Sequence, residues 1–292
     1  MSANSRPIVG HGAPAPKTPP LLVRLWTQAS PKHLVSALIT IILVVGELKF
    51  GVLGGYDRLI TALGTCMLTE ALLARWLLGH WPPSLLSAYI SGNSIALLVK
   101  PQEGLLWPFA VVAVISIASK YVLRFRGSHL WNPTNFGISV LLLLAAPKVA
   151  ILSHEWGNAL VVNAVIWAIG LLVVRRAGLL HVTAAYVVSF VALAWMRSLA
   201  FDLPFLTEVG PITGPMYQLF VFFMITDPPT SVRSLPGRLA VAVIIALVEC
   251  GLRVANDLGH GWAEPFASAP AFYALFVVGP IALFVTRKPR PS

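Results

Sequence analysis

Long apolar runs separated by short polar connections make up most of this chain. A helix needs about 20 residues to cross a bilayer, so the runs predict about ten membrane-spanning segments. These segments lie at residues 34–53, 58–78, 83–99, 104–123, 137–152, 157–176, 178–200, 211–226, 237–255 and 268–286. The pattern therefore predicts an all-α polytopic membrane protein. A single transmembrane domain at 33–287 would follow a flexible cytoplasmic N-terminal tail at 1–32 and precede a cytoplasmic tail at 288–292.

Three of the segments, the third, fifth and eighth, are short and are bounded or interrupted by Gly and Pro. Irregular backbone at membrane depth is tolerated only where it faces protein or a wet cavity, so these segments are predicted to be discontinuous helices. Ten spans divide into two halves of five, and an odd number per half makes the halves inverted. Ser91-Gly92 in the third segment and Thr213-Gly214 in the eighth hold corresponding positions. The sequence thus predicts two inverted five-helix repeats.

Composition and charge agree with this class and give an orientation. The 292 residues are 57% hydrophobic and only 11% charged, and the mean hydropathy is +0.79. With the N-terminus inside, 15 of the 21 Lys and Arg residues fall on the cytoplasmic side, which is typical of bacterial inner-membrane proteins. We therefore expect a multi-pass protein of the bacterial inner (cytoplasmic) membrane with both termini cytoplasmic. Topology and contact with anionic membrane lipid account for the net charge of +10, and nucleic acid is not expected as a partner.

Three acidic residues, Glu47, Glu70 and Glu249, lie inside apolar runs, where ionisable groups are costly and face the bundle interior. Glu249 has Arg253 one helical turn later, which predicts a structural ion pair. Glu47 and Glu70 have no such local partner. Either one is therefore a candidate for an ion or proton path.

Other chemistries are not expected. Two cysteines are too few for an iron–sulfur cluster held by this chain alone, and no His, Cys and carboxylate residues have metal-ligand spacing. The histidines lie near segment ends or in loops, so no haem is predicted. No Ser/His/Asp arrangement identifies a catalytic residue.

Two polar connections, residues 120–137 and 226–231, are the candidate site. Their side chains lie at helix ends, where main-chain groups are unpaired, and two residues of the third segment are placed to complete a cavity. The predicted site residues are Asn132, Asn135, Asp227, Thr230, Ser231, Ser91 and Asn93. The alternative is ordinary turn and cap chemistry, with Asn135 capping a helix that starts at Phe136.

The order of these elements resembles the membrane D subunit of the Rnf complex and the related B subunit of the sodium-pumping NADH:quinone oxidoreductase, the RnfD/NqrB family. Residues 132–137 (NPTNFG) and 226–231 (TDPPTS) carry the resemblance, which extends from about 34 to 286. It implies a ten-helix fold shared loosely with urea-transporter-like proteins. It also implies an electron-transport role, with a non-covalent flavin (riboflavin or FMN) or a quinone near the cytoplasmic face. Such a protein would be one subunit of a membrane complex and not a self-sufficient enzyme.

One departure from that family concerns its covalent flavin. The family carries FMN on a Thr of an SGAT-like motif, in a long outer insertion between the fifth and sixth helices. Here that connection is only residues 153–156, and the motif does not occur. We therefore predict that covalent FMN is absent, as the resemblance to shorter relatives found beside enediyne biosynthesis genes also implies. The alternatives to electron transfer are a small-solute channel or transporter of urea-transporter-like architecture, and a ligand-free membrane scaffold subunit.

Overall fold

The structure is a computed structural model that describes residues 30–102, 104–145, 148–151 and 159–286. Most of the predicted N-terminal tail, the C-terminal tail and the connection at 153–156 lie outside the described residues. Helices account for most of the described chain, so the protein is all-α apart from two pairs of very short strands. The α-helices are α1 Pro31–Phe50, α2 Tyr56–Leu78, α3 Leu86–Leu98, α4 Trp107–Val122, α5 Pro133–Ala145, α6 Leu160–Arg176, α7 Leu180–Phe201, α8 Phe205–Val209, α9 Pro215–Leu219, α10 Leu235–Asp257 and α11 Pro270–Thr286.

Four of these helices are long and apolar enough to cross a membrane. They are α1 from Lys32 onward, α2, α7 and α10, with 19 to 23 residues each. The shorter apolar helices α3, α4 and α5 lie between them along the chain, and α11 follows the last of them. A membrane location thus agrees with the described helices, whereas the predicted number of ten crossings exceeds the four that length alone supports.

The third and fifth predicted segments are helical only in part, and each ends in a strand. Strand β1, Val99–Pro101, continues α3, and β4, Val149–Ile151, follows α5. The two strands pair antiparallel with Val99 opposite Ile151. This ladder gives partners to backbone groups that the short helices leave unpaired.

A tight hairpin joins α4 to α5. Its strands are β2, Arg124–Phe125, and β3, Ser128–His129. Arg126 and Gly127 form the turn at φ 48° and 84°, the left-handed pair that a two-residue type I′ turn requires. The hairpin fixes the direction in which the chain enters α5.

Helix α5 begins earlier than the predicted segment at 137. Pro133 occupies its first turn, where the missing proline N–H costs nothing, and the Asn132 Oδ1 accepts the Asn135 backbone N–H at 3.1 Å. Asn132 is therefore the cap, and the predicted cap Asn135 lies inside the helix.

The eighth predicted segment is broken into three kinds of helix. A 3₁₀ turn, Gly210–Thr213, precedes α9. Helix α9 continues into a π-helical turn, Phe220–Met224, and a second 3₁₀ turn, Pro228–Thr230, follows. The expected discontinuity is present here, and a π turn of this kind often marks a functional site.

Helices in the first and second halves of the described chain pack in similar pairs. Helix α2 packs along α4 and α7 packs along α10, while α5 and α11 pack on α4 and α10. An ion pair joins each long interface: Lys120 to Glu70 in the first half, and Arg197 to Asp257, at 2.7 Å, in the second. Lys120 and Asp257 each lie 13 residues before the proline that begins the last helix of their half. The halves therefore share a packing pattern.

Candidate functional site

A cavity of about 300 Å³ lies where α3, the start of α5, the end of α6 and the π-helical turn meet. Apolar side chains such as Ile90, Val174 and Phe222 form much of its wall. Its polar lining comes from Lys32, Ser87, Ser91, Ser94, His129, Asn132, Thr134, Thr226 and Asp227. A mostly apolar pocket with a few polar groups is the usual form of a small-molecule site.

Asn132 reaches this cavity because it caps α5. With its oxygen bound to the Asn135 N–H, its Nδ2 donates to the Phe223 carbonyl at 3.4 Å. That carbonyl belongs to the π-helical turn, so one side chain links the two broken segments. The start of α5 also brings the positive end of a helix dipole to the cavity wall.

Asp227 follows the π-helical turn and is held by its own 3₁₀ turn. The Thr230 hydroxyl donates to Asp227 Oδ2 at 3.1 Å, and the Ser231 hydroxyl donates to the Asp227 carbonyl at 2.8 Å. The carboxylate is therefore fixed in direction by neighbours a few residues away. It keeps 18% of its side-chain surface exposed.

His129 is a site residue that the sequence did not single out. Its Nε2 lies 3.3 Å from Asp227 Oδ2, and its side chain is 20% exposed. The β2–β3 hairpin places it there. The sequence argument considered the histidines only as haem ligands and rejected that role. The signal that could have identified His129 is its position three residues before Asn132.

The seven predicted site residues divide into three groups. The large cavity brings together Ser91, Asn132 and Asp227. Thr230 and Ser231 line a separate cavity of about 30 Å³, which Asn132 also touches. Asn135 and Asn93 line neither cavity: the Asn135 Nδ2 donates to the Phe272 carbonyl at 3.0 Å, and the Asn93 Nδ2 donates to the Tyr89 carbonyl at 3.0 Å.

Glu47 and Glu70 both have partners in the described structure. Glu47 Oε2 accepts the Leu53 N–H at 2.9 Å, which holds the turn after α1. Glu70 pairs with Lys120 and accepts the Tyr121 hydroxyl at 3.0 Å. The Lys120 ammonium also donates to Ser87 at 3.3 Å, and Ser87 lines the large cavity. An ion or proton path through either acid stays a prediction.

Comparison of the chain with models of known protein families gives no match, and comparison with curated proteins gives no significant match. The resemblance described above therefore rests on the two motifs themselves and on their order along the chain.

Proposed function

We propose that the protein is an integral membrane subunit of an electron-transfer system that holds a non-covalent flavin (riboflavin or FMN) or a quinone in the large cavity. One observation carries the proposal. Residues 132–137 and 226–231, the two motifs of the resemblance, supply Asn132 and Asp227 to the same cavity, although these residues are 95 positions apart.

The size and lining of the cavity fit such a ligand. Its volume of about 300 Å³ is at the lower end of the range for small-molecule sites, which suits a flat ring system. Phe222, Phe223 and Ile90 offer apolar surface to ring faces. Asn132 offers an amide and Asp227 a carboxylate to the polar edge of a ring.

The packing supports ten helices in two inverted halves. With both termini cytoplasmic, the Glu70–Lys120 pair lies at the inner end of its interface and the Arg197–Asp257 pair at the outer end. If the two halves are inverted, equivalent contacts are expected at opposite faces of the membrane, and the two ion pairs fit that expectation. The same orientation places the large cavity near the cytoplasmic face, because Val173 and Val174 line it next to the cationic end of α6 at Arg175.

The chain's own residues bind and orient the ligand in this proposal. A bound flavin or quinone supplies the reversible uptake of electrons. Asp227 accepts hydrogen bonds from the ligand, and the His129 imidazole offers a second polar group at the cavity wall beside it. A chain with one such centre needs donor and acceptor proteins, so we expect it to work with other subunits of a membrane complex.

The absorption spectrum of the purified protein, with solvent extraction for quinone, tests this proposal. We expect flavin bands or an extractable quinone in the native protein. Asp227→Asn should lower the occupancy several-fold, because a neutral amide is a weaker acceptor than a carboxylate. Asp57→Asn, an exposed change at the start of α2, is the control and should leave occupancy unchanged.

A colourless protein without extractable quinone contradicts the proposal. It would favour the second candidate, a channel or transporter for a small polar solute, in which the broken helices direct their ends at the substrate. Uptake of such a solute into vesicles separates that candidate from a ligand-free scaffold.

The absence of covalent FMN is a separate prediction from the sequence. A denaturing gel under ultraviolet light tests it. We expect no fluorescence at the mass of the protein, and a fluorescent band there would contradict the prediction.

A further inference from the structure

The interface between α7 and α10 contains a polar cluster whose small cavity shares no lining residue with the large cavity. Both helices are long and apolar enough to span a membrane. Glu249 of α10 has no exposed surface. It accepts hydrogen bonds from the hydroxyls of Tyr186 on α7 and Tyr217 on α9, and its Oε1 lies 3.1 Å from the guanidinium of Arg253. The ion pair predicted from the i, i+4 spacing is therefore present, but it is only part of a larger cluster.

The cluster extends to the Asp257 end of α10. A cavity of about 10 Å³ is lined by Glu249, Arg253, Arg197 and Glu208, and this is close to the least space that holds one water molecule. Arg197 in turn pairs with Glu208 at 2.5 Å and with Asp257 at 2.7 Å. Asp257 keeps 21% of its side chain exposed. A row of polar groups thus leads from the exposed helix end to the buried Glu249.

Packing alone does not explain Glu249. The corresponding interface between α2 and α4 carries the Glu70–Lys120 pair. Two turns earlier, the level that matches Glu249 in its own interface, the buried residues are the apolar Ala62 and Val112. The Arg197–Asp257 pair is the counterpart of Glu70–Lys120, so the Glu249 cluster is additional. Burying such a cluster costs free energy that well-packed apolar side chains would not. Ionisable groups retained inside a membrane are usually functional.

The charges of the row do not balance. Among the described residues that form it, Glu208, Glu249 and Asp257 contribute three negative charges, and Arg197 and Arg253 contribute two positive ones. The row therefore has one more acid than base, and a cation that joins it would balance the charges. A proton needs only one oxygen lone pair, which suits so small a cavity.

The neighbours of Glu249 can accommodate both of its protonation states. A tyrosine hydroxyl donates to a carboxylate and accepts from a carboxylic acid, so Tyr186 keeps its hydrogen bond in either state. Arg253 also bonds the Tyr217 oxygen, and its Cζ lies 5.9 Å from the ring centroids of Phe190 and Tyr217. The guanidinium therefore retains partners when Glu249 is neutral. Cys250, beside it on α10, is the remaining titratable side chain at this small cavity.

We infer that Glu249 is a proton-exchange site in the membrane interior, reached from the Asp257 end of α10. A proton from a hydronium ion adds to a carboxylate oxygen of Glu249 and forms an O–H bond, leaving water. Tyr186 then turns from donor to acceptor. No electron transfer is involved, so the inference does not depend on a bound flavin or quinone.

Infrared difference spectroscopy of the full chain tests the site. Acidification should produce the carbonyl band of a protonated carboxylic acid. The band should be lost in Glu249→Gln and kept in the double variant Glu70→Gln/Lys120→Gln, which removes the balanced pair of the corresponding interface. Absence of the band from the native protein, or its persistence in Glu249→Gln, overturns the inference.

Two further variants keep the test decisive if Glu249→Gln does not fold. Tyr186→Phe retains the carboxyl group and removes one hydrogen bond, so the band should shift in frequency, and an unshifted band overturns the assignment. Asp257→Asn should slow the appearance of the band after a jump to acid pH. An unchanged rate overturns the route from the Asp257 end.

Discussion

Lys120 and Glu70 join α4 to α2 with only 12% and 10% of their side chains exposed. Glu70→Gln leaves the ammonium group without its countercharge, and we expect a loss of about 2 kcal/mol in the free energy of unfolding. This is below the 3–5 kcal/mol typical of fully buried pairs because water still reaches these groups. The change should appear as a lower Tm in detergent. The double variant Glu70→Gln/Lys120→Gln should regain part of that loss, and equal Tm values for the single and double variants would argue against the ion pair.

Asn132 acts both as the cap of α5 and as a link to the π-helical turn. Asn132→Ala should lower the free energy of unfolding by about 1 kcal/mol for the lost cap. Asn132→Asp keeps an oxygen for the Asn135 N–H but cannot donate to Phe223, so it separates the two roles. We expect the Asp variant to be the more stable in thermal unfolding. The reverse order would contradict the capping role.

Side chains with local partners were the ones the sequence could interpret. Asn132 and Asp227 were found because Asn-Pro and Asp-Pro mark helix ends, and the Glu249–Arg253 pair followed from helical spacing. The partner of Glu70 is 50 residues away and the contact of His129 with Asp227 spans 98. No single-sequence pattern encodes such distances, so neither contact was predicted.

Helices α2 and α3 approach most closely at Gly92. A Cβ atom there would lie 2.9 Å from the Leu63 Cα, which is backbone and cannot rotate away. Gly92→Ala should therefore force the two helices apart and cost about 1–3 kcal/mol of unfolding free energy. The control is Gly64→Ala on α2, where a Cβ meets nothing within 4 Å. It should be neutral or stabilising by up to about 1 kcal/mol, because alanine favours helix, and similar Tm losses for both variants would contradict the close approach.

The positions of the helices were largely predictable, whereas their irregular ends were not. Apolar runs located α1, α2, α7 and α10, because a spanning helix leaves an unbroken stretch of apolar sequence. The early start of α5 reflects the preference of Pro133 for the first turn, which the hydrophobic pattern does not show. The π-helical turn at Phe220–Met224 and the β1–β4 pair depend on tertiary neighbours. The apolar pattern therefore did not predict either one.

An exposed set of arginines adjoins the elements that line the large cavity. Arg124 and Arg126 lie in the β2–β3 hairpin, and Arg233 follows the second 3₁₀ turn. Replacing all three by Gln should slow electron transfer with an acidic partner protein, because a basic surface steers association most strongly at low salt. The measurement is the rate of partner-dependent reduction against ionic strength. Lys49→Gln, at the far end of α1, is the control.

Unchanged kinetics in the correctly inserted triple variant would remove the docking role. It would leave these arginines with the two functions expected of cytoplasmic cations, setting topology and binding anionic lipid. The test uses the proposed complex, because an acidic partner surface is part of the hypothesis.

At the level of the whole molecule, the amino-acid composition was enough to predict the class of protein but not the arrangement of its helices. The apolar and charged fractions indicate an all-α membrane protein, and the described helices agree. The predicted division into two halves rested on the positions of Gly and Pro residues. Those positions did not show that α2 packs on α4 and α7 on α10, or that an ion pair joins each interface. The number of crossings and the orientation of the termini stay predictions.

The short ladder between β1 and β4 bears on the order in which the chain is made. Val99 pairs with Ile151, so the end of α3 remains without its partner until about fifty further residues have left the ribosome. At a synthesis rate of about 5–20 residues per second, this delay is about 3–10 s. During that interval the unpaired strand is an open edge that another chain could join. The end of α3 is thus completed by a later segment, and a nascent chain halted before Val149 would hold α3 without this ladder.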